Sequence, residues 1–236
     1  MRKPYIAMPT RDRPTAETQF CLLEMSRSFD RAKMPHKIRY TLGDSMLPKT
    51  RNYFVADFLA SDCTDLIMLD DDVWWEDGAL LRLLSHPCDV VGGVYPKRQE
   101  PLEYPVRRLD GAIIDPVSGL LEVKYLPGGF LRMTRECLEA MTKHYEHLAY
   151  HDPDCPNDTA TALFWFELRV DEDKHKRLAP WGEDFEFCWK WREMGGQVYL
   201  DTLLRFYHIG RKRYEGCYAD DLPASALVQS VQSHAA

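Results

Sequence analysis

The stretch Leu66-Ile67-Met68-Leu69-Asp70-Asp71-Asp72-Val73-Trp74-Trp75 decides how the chain is read. Its four apolar residues suit one short buried strand and are too few for an isolated helix. Three carboxylates follow at once, where that strand leaves the core. Alternate side chains of an extended chain share a face, so Asp70 and Asp72 are expected on one side and Asp71 on the other. Carboxylates held a few ångströms apart repel, and burial adds to the cost of keeping them charged. A divalent cation with oxygen ligands, Mg²⁺ or Mn²⁺, removes that cost and often completes its shell with substrate phosphates. The competing reading is a solvated acidic turn capping the next helix, whose start already holds Glu76 and Asp77. The setting favours a site, because ligands of open α/β sheets gather at the carboxyl ends of strands.

Outward from this stretch, strands alternate with helical patterns. Tyr5 to Met8 is a short apolar strand running into Pro9-Thr10. Pro14 suits the first turn of a helix, and Leu22, Met25 and Phe29 keep helical spacing after it. His36 to Leu42 alternates as a second strand. Gly43-Asp44-Ser45 is a turn in which Asp44 or Ser45 caps a helix carrying Leu47, Arg51, Phe54, Val55 and Phe58. Leu80 to Leu84 belongs to a third helix and Asp89 to Val94 to a further strand. This order predicts an α/β fold with a mostly parallel central sheet and helices on both faces. Farther on, Ala112 to Val123 is expected to form a hairpin around Pro116-Val117-Ser118-Gly119, and Thr134 to cap a helix with Leu138 and Met141. A last helix starts near Gly182 and stops at Gly195-Gly196, followed by strands at Gln197 to Leu200 and Leu203 to His208. The expected organisation is one catalytic domain over residues 1–218 and a loosely held tail over 219–236.

Composition sets the bounds. With 236 residues, 37 acidic against 30 Lys plus Arg and a net charge of −7, the chain is too rich in apolar residues (45%) to be mainly disordered. Its acid excess disfavours binding nucleic acid by bulk charge. The seven cysteines are scattered, with no Cys-x-x-Cys pair, which argues for reduced thiols and a cytoplasmic location. No apolar run approaches the roughly 18 residues of a membrane span.

A second constellation is Trp181-Gly182-Glu183-Asp184-Phe185-Glu186-Phe187-Cys188-Trp189. Glu183 and Asp184 fall in the first turn of the last helix, where the dipole favours a carboxylate. Plain capping is one reading. The other is a fixed carboxylate facing a cleft, able to take a proton from an alcohol.

Taken together, these segments resemble a GT-A fold glycosyltransferase, most similar to the family 2 type. The resemblance runs over roughly residues 4–212 and rests on four ordered pieces. Leu69-Asp70-Asp71-Asp72 matches the "DXD" metal motif. Gly128-Gly129-Phe130-Leu131 is followed by Thr134-Arg135-Glu136. Gly182-Glu183-Asp184-Phe185 matches the "ED" motif, and Gly195-Gly196-Gln197-Val198-Tyr199-Leu200-Asp201 leads to His208-Ile209-Gly210. The resemblance implies transfer of a sugar from a nucleotide-diphosphate sugar to an acceptor hydroxyl, with inversion and with Mn²⁺ or Mg²⁺ as cofactor. It implies Asp70, Asp72 and His208 on the metal, Asp184 as general base, and Glu183 as the neighbouring candidate. Donor contacts are expected from Pro9, Thr10, Arg13, Asp71, Gly128 and Gly129, from Arg51 as a phosphate or nucleobase contact, and from Asp44 as the loose match to the family's base-reading acid. Arg211 and Arg213, after His208, are candidates for a lid over the diphosphate. Trp74 and Trp181 are the candidates for the acceptor side. A uridine diphosphate sugar is the working donor; the acceptor is open among glycan, lipid-linked sugar, protein and modified nucleic-acid base. A nucleotidyltransferase of similar layout is the nearest alternative, but Pro9 to Pro14 lacks the glycine-rich loop it uses. A non-catalytic nucleotide-sugar binding module is the other.

Overall fold

The computed structural model describes residues 1–43, 46–171, 176–210 and 214–222. The first half runs β1 (Pro4–Pro9), α1 (Ala16–Arg31), β2 (Lys37–Thr41), α2 (Leu47–Leu59), β3 (Asp65–Leu69), β4 (Val73–Trp75), α3 (Ala79–Ser85) and β5 (Val90–Gly92). The second half continues with β6 (Arg107–Arg108), β7 (Leu120–Tyr125), β8 (Phe130–Thr134), α4 (Arg135–His144), β9 (Ala149–His151), β10 (Thr159–Thr161), β11 (Glu167–Asp171) and β12 (Arg177–Trp181). It ends with α5 (Glu183–Glu193), β13 (Val198–Asp201), β14 (Arg205–His208) and β15 (Tyr214–Cys217).

Eight strands form the central sheet in the order β2-β1-β3-β8-β5-β13-β7-β6. β1 lies parallel to β2 and β3, and β5 parallel to β13. β8 runs against β3 and β5, and β7 against β13 and β6. Six strands therefore point one way and two, β7 and β8, the other. Period-two alternation sends successive side chains to opposite layers. Tyr5, Ala7, Leu66 and Met68 pack with Phe54 and Phe58 of α2, Met141 of α4 and Phe187 of α5. Ile6, Met8, Ile67 and Leu69 pack with Met25 and Phe29 of α1 and Leu80 and Leu83 of α3. Helices thus cover both faces, as the alternation predicts.

A separate three-stranded sheet, β15-β14-β4, brings distant segments to the end of β3. Its register sets His208 opposite Val73, beside Asp72. Two outlying hairpins, β9–β10 and β11–β12, fill the region between α4 and α5, where the sequence shows no clear periodicity.

Local chemistry explains the helix starts and some departures. The Thr15 hydroxyl accepts the Thr18 N–H at 3.2 Å, so Thr15 is the cap of α1 and Pro14 lies outside the helix rather than in its first turn. Thr134 caps α4 as expected. Met46 occupies the cap position of α2 without a side-chain bond, and Asp44 and Ser45 lie outside the described residues. The expected hairpin over 112–123 has only its second arm. Val117 and Ser118 donate to the Asp115 carboxylate in a tight turn, and β7 pairs instead with β6. Among the described residues no helix is long and apolar enough to cross a membrane.

Candidate active site

The carboxyl ends of β1 and β3 open into a cleft of about 560 Å³. Pro9, Thr10, Asp70, Asp71, Asp72 and His208 line it, together with Arg11, Tyr95 and Arg98. Asp71 and Asp72 form a turn between β3 and β4 instead of continuing the strand, so all three acids border the same cleft. The expected opposition of Asp71 to its neighbours fails because β4 begins again at Val73.

Asp70 and Asp72 have different surroundings. The Asp70 backbone N–H donates to the Gly129 carbonyl at 2.8 Å. Its carboxylate accepts from the Tyr95 hydroxyl on one oxygen and from Arg51 Nη2 at 3.4 Å on the other. Asp72 pairs with Arg98 through Oδ2, while its Oδ1 lies 3.5 Å from His208 Nε2. His208 Nδ1 sits 2.8 Å from the Pro96 carbonyl, which only accepts, so that nitrogen carries the proton. Nε2 then presents its lone pair toward Asp72. Burial holds the imidazole below its ordinary value, which favours this neutral form.

The second motif reaches the same place from α5. Gly182 is the cap of that helix, and Glu183 and Asp184 stand in its first turn. Asp184 accepts from the backbone N–H of Phe185 at 2.8 Å and of Gly128 at 3.1 Å. Burial pushes the Asp184 carboxyl up, against the pull of Arg51 and of these two N–H groups. Burial likewise raises Glu183 against the pull of Arg51. Asp184 also borders a second cleft of about 540 Å³, lined by Tyr125, Trp181, Phe185 and Trp189 and by Arg169 of β11. Arg169 is held there by a bidentate pair to Glu186, at 2.6 and 2.7 Å.

Between the motifs lies Arg51. It is 2% exposed, with Nη2 on Asp70 and Nε 3.7 Å from Glu183 Oε1. The sequence suggests a phosphate or nucleobase contact for it; in the structure Arg51 is buried and is not among the residues that line the cleft. Gly128 and Gly129, the expected close backbone approaches to the sugar, are tightly packed. A Cβ on Gly128 would overlap Arg51 Nη1, and one on Gly129 would overlap the Tyr95 hydroxyl and the Asp70 carboxylate.

Other sequence candidates divide. Trp181 lines the Asp184 cleft. Trp74 does not: it lies edge-on to Tyr207 at 4.7 Å and borders a small apolar pocket against Phe20 and Met25 of α1. Arg13 is exposed and is not among the residues lining the cleft, whereas Arg11 is. Asp44, Arg211 and Arg213 lie outside the described residues. Sequence reading missed Tyr95 and Arg98. Both follow β5, and the rule that ligands gather at the carboxyl ends of strands points to them as it points to Asp70.

Among the described residues no three His, Cys, Asp or Glu side chains form a metal cage. Asp72 and His208 are a two-residue set, chemically suited to a divalent cation whose remaining positions come from phosphate and water. The bond from Nδ1 to the Pro96 carbonyl is of the kind that orients metal-binding histidines.

No protein-family model matches the sequence, and no curated protein sequence matches it. Among solved structures the chain is similar to A197 from STIV, at 20% identity and a TM-score of 0.54, over 93% of this chain and 91% of that one. A second likeness is to a glycosyltransferase involved in the glycosylation of the major capsid of PBCV-1, at 11% identity, a TM-score of 0.36 and coverage of 61% and 66%. The first shows a shared fold over nearly the whole length of both chains. The second is too distant to carry any argument.

Proposed function

We propose that this chain is a metal-dependent glycosyltransferase of the GT-A type, moving a sugar from a nucleotide-diphosphate sugar to an acceptor hydroxyl. One observation carries the reading. Two acidic motifs from opposite halves of the chain, Asp70-Asp71-Asp72 and Glu183-Asp184, meet on one buried arginine at the carboxyl end of the sheet. The first cleft is the proposed donor site, and the Trp181-lined cleft beside Asp184 the proposed acceptor site.

Asp72 and His208 would hold Mn²⁺ or Mg²⁺, with Arg98 giving up its place on Asp72. Such an ion, when bound, stabilises the charge that grows on a diphosphate leaving group. Pro9, Thr10 and Arg11 line the end of the donor cleft nearest β1. Asp184, aimed by the Gly128 and Phe185 N–H groups, accepts the proton of the acceptor hydroxyl. The bond from acceptor oxygen to the anomeric carbon forms as the bond to the diphosphate oxygen breaks. Attack from the side opposite the leaving group inverts the anomeric carbon. A uridine diphosphate sugar is the proposed donor.

The test is a panel of nucleotide-sugars incubated with the full chain and Mn²⁺, read as release of nucleoside diphosphate. Slow hydrolysis reports the donor without knowledge of the acceptor. Release by wild type that is lost in Asp72→Ala supports the reading. Equal release in both would refute the role of Asp72. Donor binding without turnover would favour a binding module.

A further inference from the structure

Resting on that reading, we infer that Arg51 is a positioning residue for the transfer, a buried counter-ion that locks the acid run of β3 and the carboxylate pair of α5 into one unit. At 2% exposure its guanidinium lies out of reach of substrate, so its action runs through its neighbours. Nη2 reaches Asp70 and Nε reaches Glu183, at 3.4 and 3.7 Å. The Tyr95 hydroxyl holds the other oxygen of Asp70, which fixes that end of the link.

The bed of the guanidinium matters more. Arg51 Nη1 lies against Gly128 so closely that a Cβ there would overlap it. The N–H of the same Gly128 donates to Asp184 Oδ2 at 3.1 Å. Any shift of the guanidinium therefore moves the peptide that aims the proposed base.

Its hydrogen bonding is also incomplete. Nε and Nη1 are buried and make no hydrogen bond. Unspent buried donors are costly. The acids around Arg51 compensate: Asp70 and Glu183 lie 3.4 and 3.7 Å from its nitrogens, and Asp184 is bonded to the Gly128 peptide against which Nη1 packs. One cation shared by three carboxylates holds them together while each remains available to the site.

The test compares wild type, Arg51→Lys and Arg51→Gln as full chains, using the nucleotide-sugar that wild type turns over with Mn²⁺. Circular dichroism and thermal melting establish folding. The expected result for Arg51→Gln is a donor KM close to that of wild type with kcat down about 100-fold, the scale of a 1 Å misplacement. Arg51→Lys is expected to recover at least roughly tenfold of that loss, because charge returns without the planar fork. A folded Arg51→Gln with kcat near wild type overturns the inference. So does a loss spread equally over kcat and KM with no recovery by lysine, the mark of a general structural defect. If Arg51→Gln does not fold, Arg51→Lys decides: a lowered kcat at unchanged KM supports the inference, and an unchanged kcat overturns it. A wild type with no turnover of any nucleotide-sugar overturns the underlying reading and this inference together, whereas a competent wild type with indifferent Arg51 variants overturns the inference alone.

Discussion

Arg132 of β8 and Arg51 of α2 are 0% and 2% exposed, the first near the amino end of β3 and the second beyond its carboxyl end. Arg132 sits 3.6 Å from Asp65 and spends its terminal nitrogens on carbonyls, those of Cys88 and His86 at 2.7 Å and of Leu83 at 3.5 Å. Asp65 is also paired with Arg2. Arg51 meets carboxylates at 3.4 and 3.7 Å and leaves Nε and Nη1 without a hydrogen bond, against Nε alone in Arg132. Burial pulls the Arg132 guanidinium down from its ordinary value, with Asp65 opposing, whereas three acids carry Arg51 upward. Carbonyls that hold an arginine make a rigid joint. Carboxylates that share one make a centre whose charge can be redistributed when ligands arrive. The same residue type at the same depth thus marks a strut at one end of a strand and a site at the other.

That contrast breaks or sharpens at measurable points. The largest expected effect is at the site end. Asp184→Asn is expected to lower transfer by about 10²- to 10⁴-fold, the usual contribution of a general base. Stability should not follow. A carboxyl raised in the folded state contributes stability that is complete below the ordinary aspartate value of about 3.9 and lost as pH rises through the folded value. Asn lacks that titration, so at neutral pH Asp184→Asn is expected to melt no lower than wild type. For the same reason the acid limb of kcat/KM in wild type should fall above the ordinary aspartate range. A limb at or below that range would show that burial does not tune this group.

The strut end should respond in the opposite way. Arg132→Met leaves the buried Asp65 with Arg2 as its charged partner and the Thr64 hydroxyl as its hydrogen-bond donor, and weakening such a buried pair is expected to cost up to about 3–5 kcal/mol. Denaturant unfolding would read this, while activity per folded molecule is expected to stay near wild type. A change in KM for the donor would mean the two ends are linked. Tyr95→Phe comes next. It removes the hydroxyl that holds Asp70 and, as a bond to a charged group, is expected to cost about 1.5–3 kcal/mol, divided between stability and kcat/KM. The smallest effect is Thr15→Ala, which loses the cap of α1 for about 1 kcal/mol in melting experiments and no loss of activity.

Much of the frame was legible in the sequence. Alternation of short apolar strands with helical stripes gave the layers, because β1, β3 and β5 are buried on both faces and α1 on one. Thr134 before α4 and Gly195 after α5 marked helix ends through local hydrogen bonding and a positive φ of 87°. The Asp70 and Asp184 motifs were legible as candidates because carboxylates crowded at a buried strand's end are costly, although one in a first helical turn also serves as a plain cap. The rest depends on contacts that no local pattern encodes. Tyr95 and Arg98 act through Asp70, just past the end of β3, and Asp72 in the turn that follows. Gly128 reads as a bulge until the arginine packed on it is known. Arg51 interrupts an apolar stripe, which signals a partner without saying whether that partner is a ligand or the protein. The outlying hairpin β11–β12 carries Leu168 and Leu178 exposed, at 62% and 68%, and so lacks the buried periodicity that reveals strands elsewhere.

The central claim is that the cleft beside Asp72 and His208 and the Asp184 carboxylate serve one transfer reaction. The most direct measurement is release of nucleoside diphosphate from a panel of nucleotide-sugars by wild type, Asp72→Ala and Asp184→Asn, with and without Mn²⁺. The account predicts release by wild type only with the cation, and loss of that release in both Asp72→Ala and Asp184→Asn. Release that is independent of the cation and undiminished in both variants would contradict it.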